Sequence, residues 1–386
     1  MEHIKFKIDH MDPMGQGVSK ESQIAFIEKT LPGETGTAEI YRKAKGVIFG
    51  NLSDPENLNT KSPDRIEPEC PHFYECRGCQ FLHTNYNNEI NFKTESLKRM
   101  FKNLLSDSVE LIVHPAQERF GYRNRIQIHY DLLKEELGYF SNLSRHLINV
   151  QNCLLPSNTV MKQVNDIYSD NKWKNIVANS NDKTGYIEVY QKPDETESKI
   201  SLNKPYAEGG FTQVNNKMGQ VLTELVTKMY KKYLGESSEN LVLDIFGGNG
   251  NLSKYFQNAD IKVFDLNRDS KVNPNATMQS THQQYVNIDL YKKDPVNEIK
   301  KSLKDLKESD PNLIIFDPPR AGVKFINSYI KYLDAPSIFY ISCDPATLKR
   351  DTVKLKDKYD IVEMHLIDLF PGTRHFETLI VFRKSE

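Results

Sequence analysis

The sequence predicts an α/β chain: a doubly wound, seven-stranded and mostly parallel sheet at the C-terminal end, a small β-barrel at the N-terminal end and an α+β region between them. Three observations carry this. From residue 206 onward seven strand-like runs recur, "LVLDIF", "IKVFDL", "QYVNID", "NLIIFD", "SIFYIS", "IVEMHLIDLF" and "ETLIVFR", with helix-like stretches between most of the first five. Residues 1–53 hold short β-like runs broken by turn residues, as in "GQGVSK" and "LPGETGTAEI". Residues 65–205 mix a helix-like "NNEINFKTESLKRMFKNLL" with the alternating runs "RNRIQIHYDL" and "TGYIEVYQK".

The joints follow the same logic. "SDPENLNTKSPDRIEPE" reads as a polar linker that puts a boundary between residues 53 and 65, and "NKPYAEGGFTQVNNKM" leads into the region 206–386. The last two strand-like runs are separated only by "PGTRHF", so they should form an antiparallel hairpin at one edge of the sheet.

With 386 residues the chain can bury two or three cores, and 38% hydrophobic against 27% charged residues suits a globular protein. No apolar run approaches the roughly 20 residues of a membrane helix, and "MEHIKFKIDHMDP" lacks the apolar core of a signal peptide. A cytoplasmic protein with no membrane partner is expected. The net charge of -1 excludes a wholly basic nucleic-acid binder. Residues 91–130 nevertheless carry seven basic residues against four acidic ones, a surplus that suits a solvated face as well as an RNA-facing one.

Ligands of such sheets sit outside the carboxyl ends of the strands, so the residues there are the candidates. "DIFGGNGN", residues 244–251, is a Gly-rich turn that departs from the G-x-G-x-x-G of dinucleotide binders. Asp265 closes the second strand, placed to accept hydrogen bonds from a ribose. An adenosine-containing ligand follows, S-adenosylmethionine ahead of NAD. "FDPPRAG" holds Asp317 at the fourth strand's mouth, since two prolines fix the backbone behind it. Cys343 ends the fifth strand just before a helix start, where N–H dipoles should favour the thiolate. Glu377, between the last two runs, should come close to it.

The other four cysteines lie upstream. Cys70, Cys76 and Cys79 form C-x5-C-x2-C in "CPHFYECRGCQFLH", and Cys153 in "VQNCLLP" would complete four. Four thiolates suit zinc or an iron–sulfur cluster, and spacing does not choose between them; His72 and His83 keep a mixed zinc site open. Reduced structural cysteines are the plain alternative.

Taken together, these stretches resemble the RNA 5-methyluridine methyltransferases, in particular the 23S ribosomal RNA branch that carries an iron–sulfur cluster. "GQGV…LPGETGTAEI" is similar to that family's TRAM domain, an OB-like RNA-binding barrel. "SPDRIEPECPHFYECRGCQFLH" resembles its cluster loop, and "FTQVN", "DIFGGNGN", "FDPPRAG", "YISCDPATLKRD" and "FPGTRHFETL" its catalytic motifs, in order. The resemblance implies S-adenosylmethionine-dependent methylation of carbon 5 of a uridine in RNA, with a single-stranded or looped region of 23S rRNA the first expectation. It makes Cys343 the nucleophile that adds to carbon 6 and Glu377 the base. Gln213, Phe246, Asn251, Asp265, Asp289 and Asp317 would contact S-adenosylmethionine, and Cys70, Cys76, Cys79 and Cys153 would hold a structural [4Fe–4S] cluster. No protein partner is called for. Gly247 stands where the family often has Cys, "PGT" where Pro-Gln-Thr is commoner, and Phe376 where a small aliphatic residue is usual. The other readings are a tRNA uracil-5 methyltransferase, a non-catalytic RNA-binding protein with a zinc site, and a cytosine-5 DNA methyltransferase, whose cysteine typically follows a proline.

Overall fold

Alternation along the first strand builds the N-terminal layer: in β1 (His3–Met11) Phe6 and Ile8 point inward while their neighbours stay accessible. β2 (Gln16–Ser19), β3 (Ala25–Glu28), β4 (Thr35–Ala44) and β5 (Val47–Asn51) follow. The strands pair in the order β1-β2-β3-β5-β4, and β4 pairs back onto β1, so the sheet closes into a barrel around Ile27, Ala38, Ile48 and Leu52. Leu58–Thr60, expected within a linker, instead forms β6 on the end of β4. This computed structural model describes residues 2–21, 23–142, 146–178, 180–204, 213–266, 283–292, 295–305 and 310–385.

Two elements of the stretch 65–205 belong to the C-terminal sheet, which corrects the partition read from the sequence. The helix α1 (Tyr86–Phe101), capped by Asn85, buries Leu97 and Phe101 in that sheet's core. The short strand β7 (Leu111–His114) pairs in parallel with residues 364–367. The remainder forms an antiparallel sheet in the order β10-β9-β8-β11-β12, built from β8 (Arg125–Asp131), β9 (Glu136–Phe140), β10 (Leu147–Ile148), β11 (Thr184–Tyr190) and β12 (Lys199–Leu202). α2 (Asn158–Tyr168) and α3 (Lys172–Val177) cover it, packing Val164, Ile167 and Trp173 on Ile128 and Val189. The joint between this region and the next, at residues 205–206, and the first two residues of "FTQVN" lie outside the described residues.

The C-terminal region runs α4 (Asn216–Tyr233), β13 (Leu241–Ile245), β14 (Asp260–Asp265), β15 (Gln283–Asn287), α5 (Pro295–Asp305), β16 (Leu313–Phe316), α6 (Ile326–Tyr332), β17 (Ser337–Ser342), α7 (Pro345–Leu355), β18 (Tyr359–Ile367) and β19 (Glu377–Lys384). All seven expected strands are present, but β7 makes the sheet eight-stranded: β15-β14-β13-β16-β17-β19-β18-β7. The β18–β19 hairpin is therefore inside the sheet, not at its edge: β19 pairs with β17 and β7 covers β18. β13 is buried along its whole length, and each of its apolar side chains contributes about 1.5–3 kcal/mol. The strand order reverses between β13 and β16. A crevice opens there, outside the carboxyl ends of both strands.

Candidate active site and cysteine cavity

Register brings the reacting groups together. β19 runs antiparallel to β17 with Ser342 opposite Thr378, so Cys343, one residue on, comes level with Glu377. Asp317 follows β16, which pairs in parallel with β17 through Phe316 and Tyr340. Behind Cys343, Asp344 caps α7 by accepting a hydrogen bond from the Thr347 N–H (2.8 Å), with Pro345 in the first turn.

The electrostatics reverse one expectation. Burial pushes the Cys343 thiol up to about 12, Glu377 and Asp317 push in the same direction, and only Arg320 beside the sulfur favours the thiolate. The helix start does not outweigh this desolvation. Glu377 is 6% exposed, its Oε2 lacks a hydrogen-bond partner, and burial with the nearby Asp317 raises its carboxyl well above the usual range. His375, whose Nε2 lies 3.4 Å from an Arg320 nitrogen, is held down to about 3 by burial and the surrounding arginines. It stays neutral. Arg374 is half-buried and faces Glu28 and Asp12 of the barrel as well as Arg320 and Arg77.

The loop carrying Arg374 and Glu377 is tied down from several sides. The N–H groups of Gln80 and Phe81 donate to the carbonyl of Gly372 (2.9 and 3.1 Å), and the Gln80 Oε1 accepts from the Arg374 N–H at 2.9 Å. Glu89 Oε1 accepts from the Gly372 N–H at 2.7 Å. Lys93 bridges Glu89 and Asp368 at 2.7 and 2.8 Å.

On the other side of the crevice, four acids gather. Asp265 accepts from the Gly248 N–H at 2.8 Å, which fastens the end of β14 to the Gly-rich turn. Asp244, fully buried in β13, accepts from Ser253 at 2.6 Å while its Oδ1 has no partner. Burial raises Asp244 to about 6 and Asp317 to about 7, each helped by a neighbouring acid. A Cβ on Gly247 would stand 2.6 Å from the Asp244 carboxyl carbon, so only glycine lets the turn approach it. Phe246 holds φ +66° and sets its ring 5.6 Å from that of Tyr291. The Tyr291 N–H donates to Asp289 at 3.0 Å, which places Asp289 beside this wall. These acids, with one buried and unpartnered oxygen on Asp244, concentrate negative charge on this side of the crevice, a fit for the cationic sulfonium and ammonium groups of S-adenosylmethionine. Among the described residues no hydrogen bond ties Gln213 or Asn251 to these acids. The Gln213 carbonyl accepts from Asn124 at 2.8 Å, at the foot of α4.

Asp244 and Ser253 were not among the residues singled out from the sequence. The signal was present: a lone acid inside a five-residue apolar strand needs a reason.

The four upstream cysteines are all free and line one cavity of about 350 Å³, together with Phe73, Arg123, Tyr139 and Val150. Among the described residues no group of three or more His, Cys, Asp or Glu side chains could hold a metal ion, and His83 is fully buried against Thr30 and Phe73. Neither a mixed Cys/His set nor the four cysteines are drawn together as a metal-holding group among the described residues. Arg123 has a buried Nε without a partner facing this cavity.

Comparison with known proteins agrees with this geometry. Residues 196–385 match the family model described as tRNA (Uracil-5-)-methyltransferase. The chain is 23% identical to a 23S rRNA (uracil(1939)-C(5))-methyltransferase of Vibrio parahaemolyticus, over 99% of this chain and 96% of that one. It is 24% identical to an uncharacterized RNA methyltransferase of Clostridium acetobutylicum, over 98% and 96%. The crystal structure of the Pyrococcus abyssi tRNA (uracil-54, C5)-methyltransferase in complex with S-adenosyl-L-homocysteine superposes with a TM-score of 0.64 at 17% identity, covering 98% of this chain and all of that one. That likeness shows the fold. With residues 196–385 matching that family model and relatives similar over nearly the full length, the chain is similar to the RNA (uracil-5-)-methyltransferases and is an S-adenosylmethionine-dependent RNA methyltransferase.

Proposed function

We propose that this enzyme methylates carbon 5 of one uridine in a loop of 23S rRNA through a transient covalent bond between Cys343 and carbon 6. The juxtaposition of Cys343, Glu377, Asp317 and Arg320 at one strand mouth carries the reading. The near full-length similarity to 23S rRNA enzymes favours that RNA over tRNA.

Carbon 5 of uracil is a weak nucleophile. The Cys343 thiol first gives up its proton to solvent; addition of the thiolate to carbon 6 then moves the ring electrons toward carbon 5 and the carbonyl oxygen at carbon 4, to which Arg320 would donate a hydrogen bond. S-adenosylmethionine, when bound by Gln213, Phe246, Asn251, Asp265, Asp289 and Asp317, supplies the methyl group. Glu377 then takes the carbon 5 proton, the ring electrons return, and the carbon–sulfur bond breaks to release Cys343. Desolvation makes Glu377 a stronger base than a carboxylate in water once it is ionised. The target base must leave its stack, which costs least in a loop.

The barrel is read as a TRAM-like RNA-binding unit. Phe26 and Phe49 stack at 5.6 Å, the Arg42 guanidinium lies 3.8 Å over Phe49, and Tyr41 stands beside them: a base-stacking surface on the barrel, whose Glu28 and Asp12 face Arg374. A [4Fe–4S] site held by Cys70, Cys76, Cys79 and Cys153 rests on the sequence resemblance alone, beside the finding that all four thiols line one cavity.

The decisive experiment uses RNA carrying 5-fluorouridine, whose fluorine cannot be removed as a proton. Wild-type enzyme should form a covalent adduct on 23S rRNA fragments, Cys343→Ala should form none and transfer no methyl group, and Glu377→Gln should accumulate an adduct even on ordinary uridine. Methyl transfer by Cys343→Ala would end the covalent reading, and methylation confined to tRNA would move the substrate.

A further inference from the structure

The turn that carries Arg320 is clamped from behind Cys343. The Gly322 N–H donates to the Pro319 carbonyl at 2.8 Å, which closes a four-residue turn with Arg320 and Ala321 at its centre. Three consecutive residues are then held from outside. Arg350 donates to the Ala321 carbonyl at 2.9 Å, the Tyr291 hydroxyl to the Gly322 carbonyl at 3.3 Å, and the Val323 N–H to Asp351 Oδ2 at 2.8 Å. Arg350 and Asp351 both lie in α7, the helix that begins just after Cys343.

Asp351 is fully buried and also accepts from the Tyr340 hydroxyl at 2.7 Å and from two Arg350 nitrogens at 2.9 and 3.1 Å. Tyr340 belongs to β17, so the strand that leads into Cys343 and the helix that leaves it meet at one carboxylate. A two-pronged guanidinium–carboxylate pair fixes the direction of the arginine as well as its place. The turn has no room to slide toward it: Gly322 holds φ +71°, and a Cβ there would stand 2.5 Å from an Arg350 nitrogen and 2.6 Å from Asp351 Oδ2. Arg320 itself is exposed, so the course of its backbone decides whether the guanidinium reaches the Cys343 sulfur and the His375 ring, 3.4 Å away. We infer that Arg350, held by Asp351, is a positioning residue: it fixes the turn 319–322 so that Arg320 stands beside the sulfur of Cys343. This rests on the reading of Cys343 as the nucleophile. A shift of the turn by about 1 Å would carry the guanidinium out of reach, and misplacement of that size costs up to about a hundredfold in rate.

The test compares full-length wild type, Arg350→Met, Arg320→Met and the double variant. The Arg350 side chain is 47% exposed, so its replacement should leave the fold intact, which the urea midpoint checks. Alkylation of Cys343 by iodoacetamide is followed first, in protein without RNA. A cation beside a thiol lowers its pKa by about one unit or more, so Arg320→Met should slow alkylation about tenfold or more. Arg350→Met should slow it about threefold to tenfold, and the double variant should lose no more than Arg320→Met alone, because Arg350 acts through Arg320. With S-adenosylmethionine and a 23S rRNA fragment, kcat of Arg350→Met should fall by a similar factor while KM for the RNA holds. An unchanged alkylation rate in Arg350→Met would overturn the assignment, and so would losses that add in the double variant. A raised KM with wild-type kcat would overturn it too and make Arg350 an RNA contact. Methylation by Cys343→Ala would sink the nucleophile reading itself, an outcome separate from the alkylation series. Should Arg350→Met not fold, Arg350→Gln is read by the same criteria.

Discussion

The mouth of the parallel sheet and the cysteine cavity are both buried and both out of charge balance, in opposite directions. At the mouth, Asp244 and Asp265 lie near Asp317, and Asp317 lies near Glu377 with Arg320 beside it; two of the acids are held up at about 6 and about 7. The cysteine cavity is lined by Arg123 and Arg125 against one buried carboxylate, Glu188, beside its four thiols. A third buried cluster is balanced: Glu89 and Asp368 against Lys93 and Arg119, at 2.7–3.2 Å. The contrast separates scaffold from site. Where every charge has its partner, the cluster holds the chain together. Where acids are in excess, as at the mouth, a cationic ligand such as a sulfonium is the partner that fits.

The balanced cluster should therefore give the largest loss of stability. Lys93→Met leaves the buried Asp368 without a cation and Glu89 with Arg119 alone, and removal of one partner of a buried pair costs about 3–5 kcal/mol. The midpoint of urea unfolding reads this directly. A loss below about 1 kcal/mol would break the distinction, since such a value is ordinary for a surface pair.

The catalytic strands were legible because each reads as an apolar run between helical stretches, and their ends follow from topology alone. β7 was not. "LIVH" is four residues long and its pairing with β18 spans more than two hundred residues of chain, a contact no local pattern encodes. The hairpin likewise read as an edge because nothing local announces a strand that pairs from far upstream. Cys343 and Glu377 were found as residues, yet the protonation state of Cys343 was not: a helix start is visible in "SCDP", whereas burial among Glu377 and Asp317 exists only after folding.

The charge excess at the mouth also sets the reactivity of Cys343. With its thiol raised from 9.0 to about 12, the thiolate fraction at neutral pH is about a thousandfold below that of an unperturbed thiol. Alkylation by iodoacetamide, followed peptide by peptide, should be slower than for a free thiol by about that factor and should keep rising up to about pH 12. Fast alkylation at pH 7 would mean that Arg320 outweighs the acids, and the mouth would not be acid-rich in effect.

The smallest and sharpest effect concerns Asp317. Its carboxyl is raised from 3.8 to about 7, so between those values the folded protein holds a proton that the unfolded chain has released. Stability from this group is therefore fully present below about pH 3.8 and is lost as pH rises through about 7. Asparagine cannot titrate. Asp317→Asn should make the ligand-free enzyme more stable than wild type at pH 8 and flatten the decline between pH 4 and 7, leaving the part due to Asp244. Binding should move the other way. The ionised carboxylate favours a sulfonium, so wild-type affinity for S-adenosylmethionine should rise through about pH 7, and the variant should bind about tenfold more weakly at pH 8, about 1.4 kcal/mol, without that rise. S-adenosylhomocysteine lacks the sulfonium charge and should lose less. Calorimetry with both ligands at pH 6 and pH 8 reads all four values, and an equal loss for the two would show that Asp317 acts by shape, since only a charge effect distinguishes the sulfonium from the thioether.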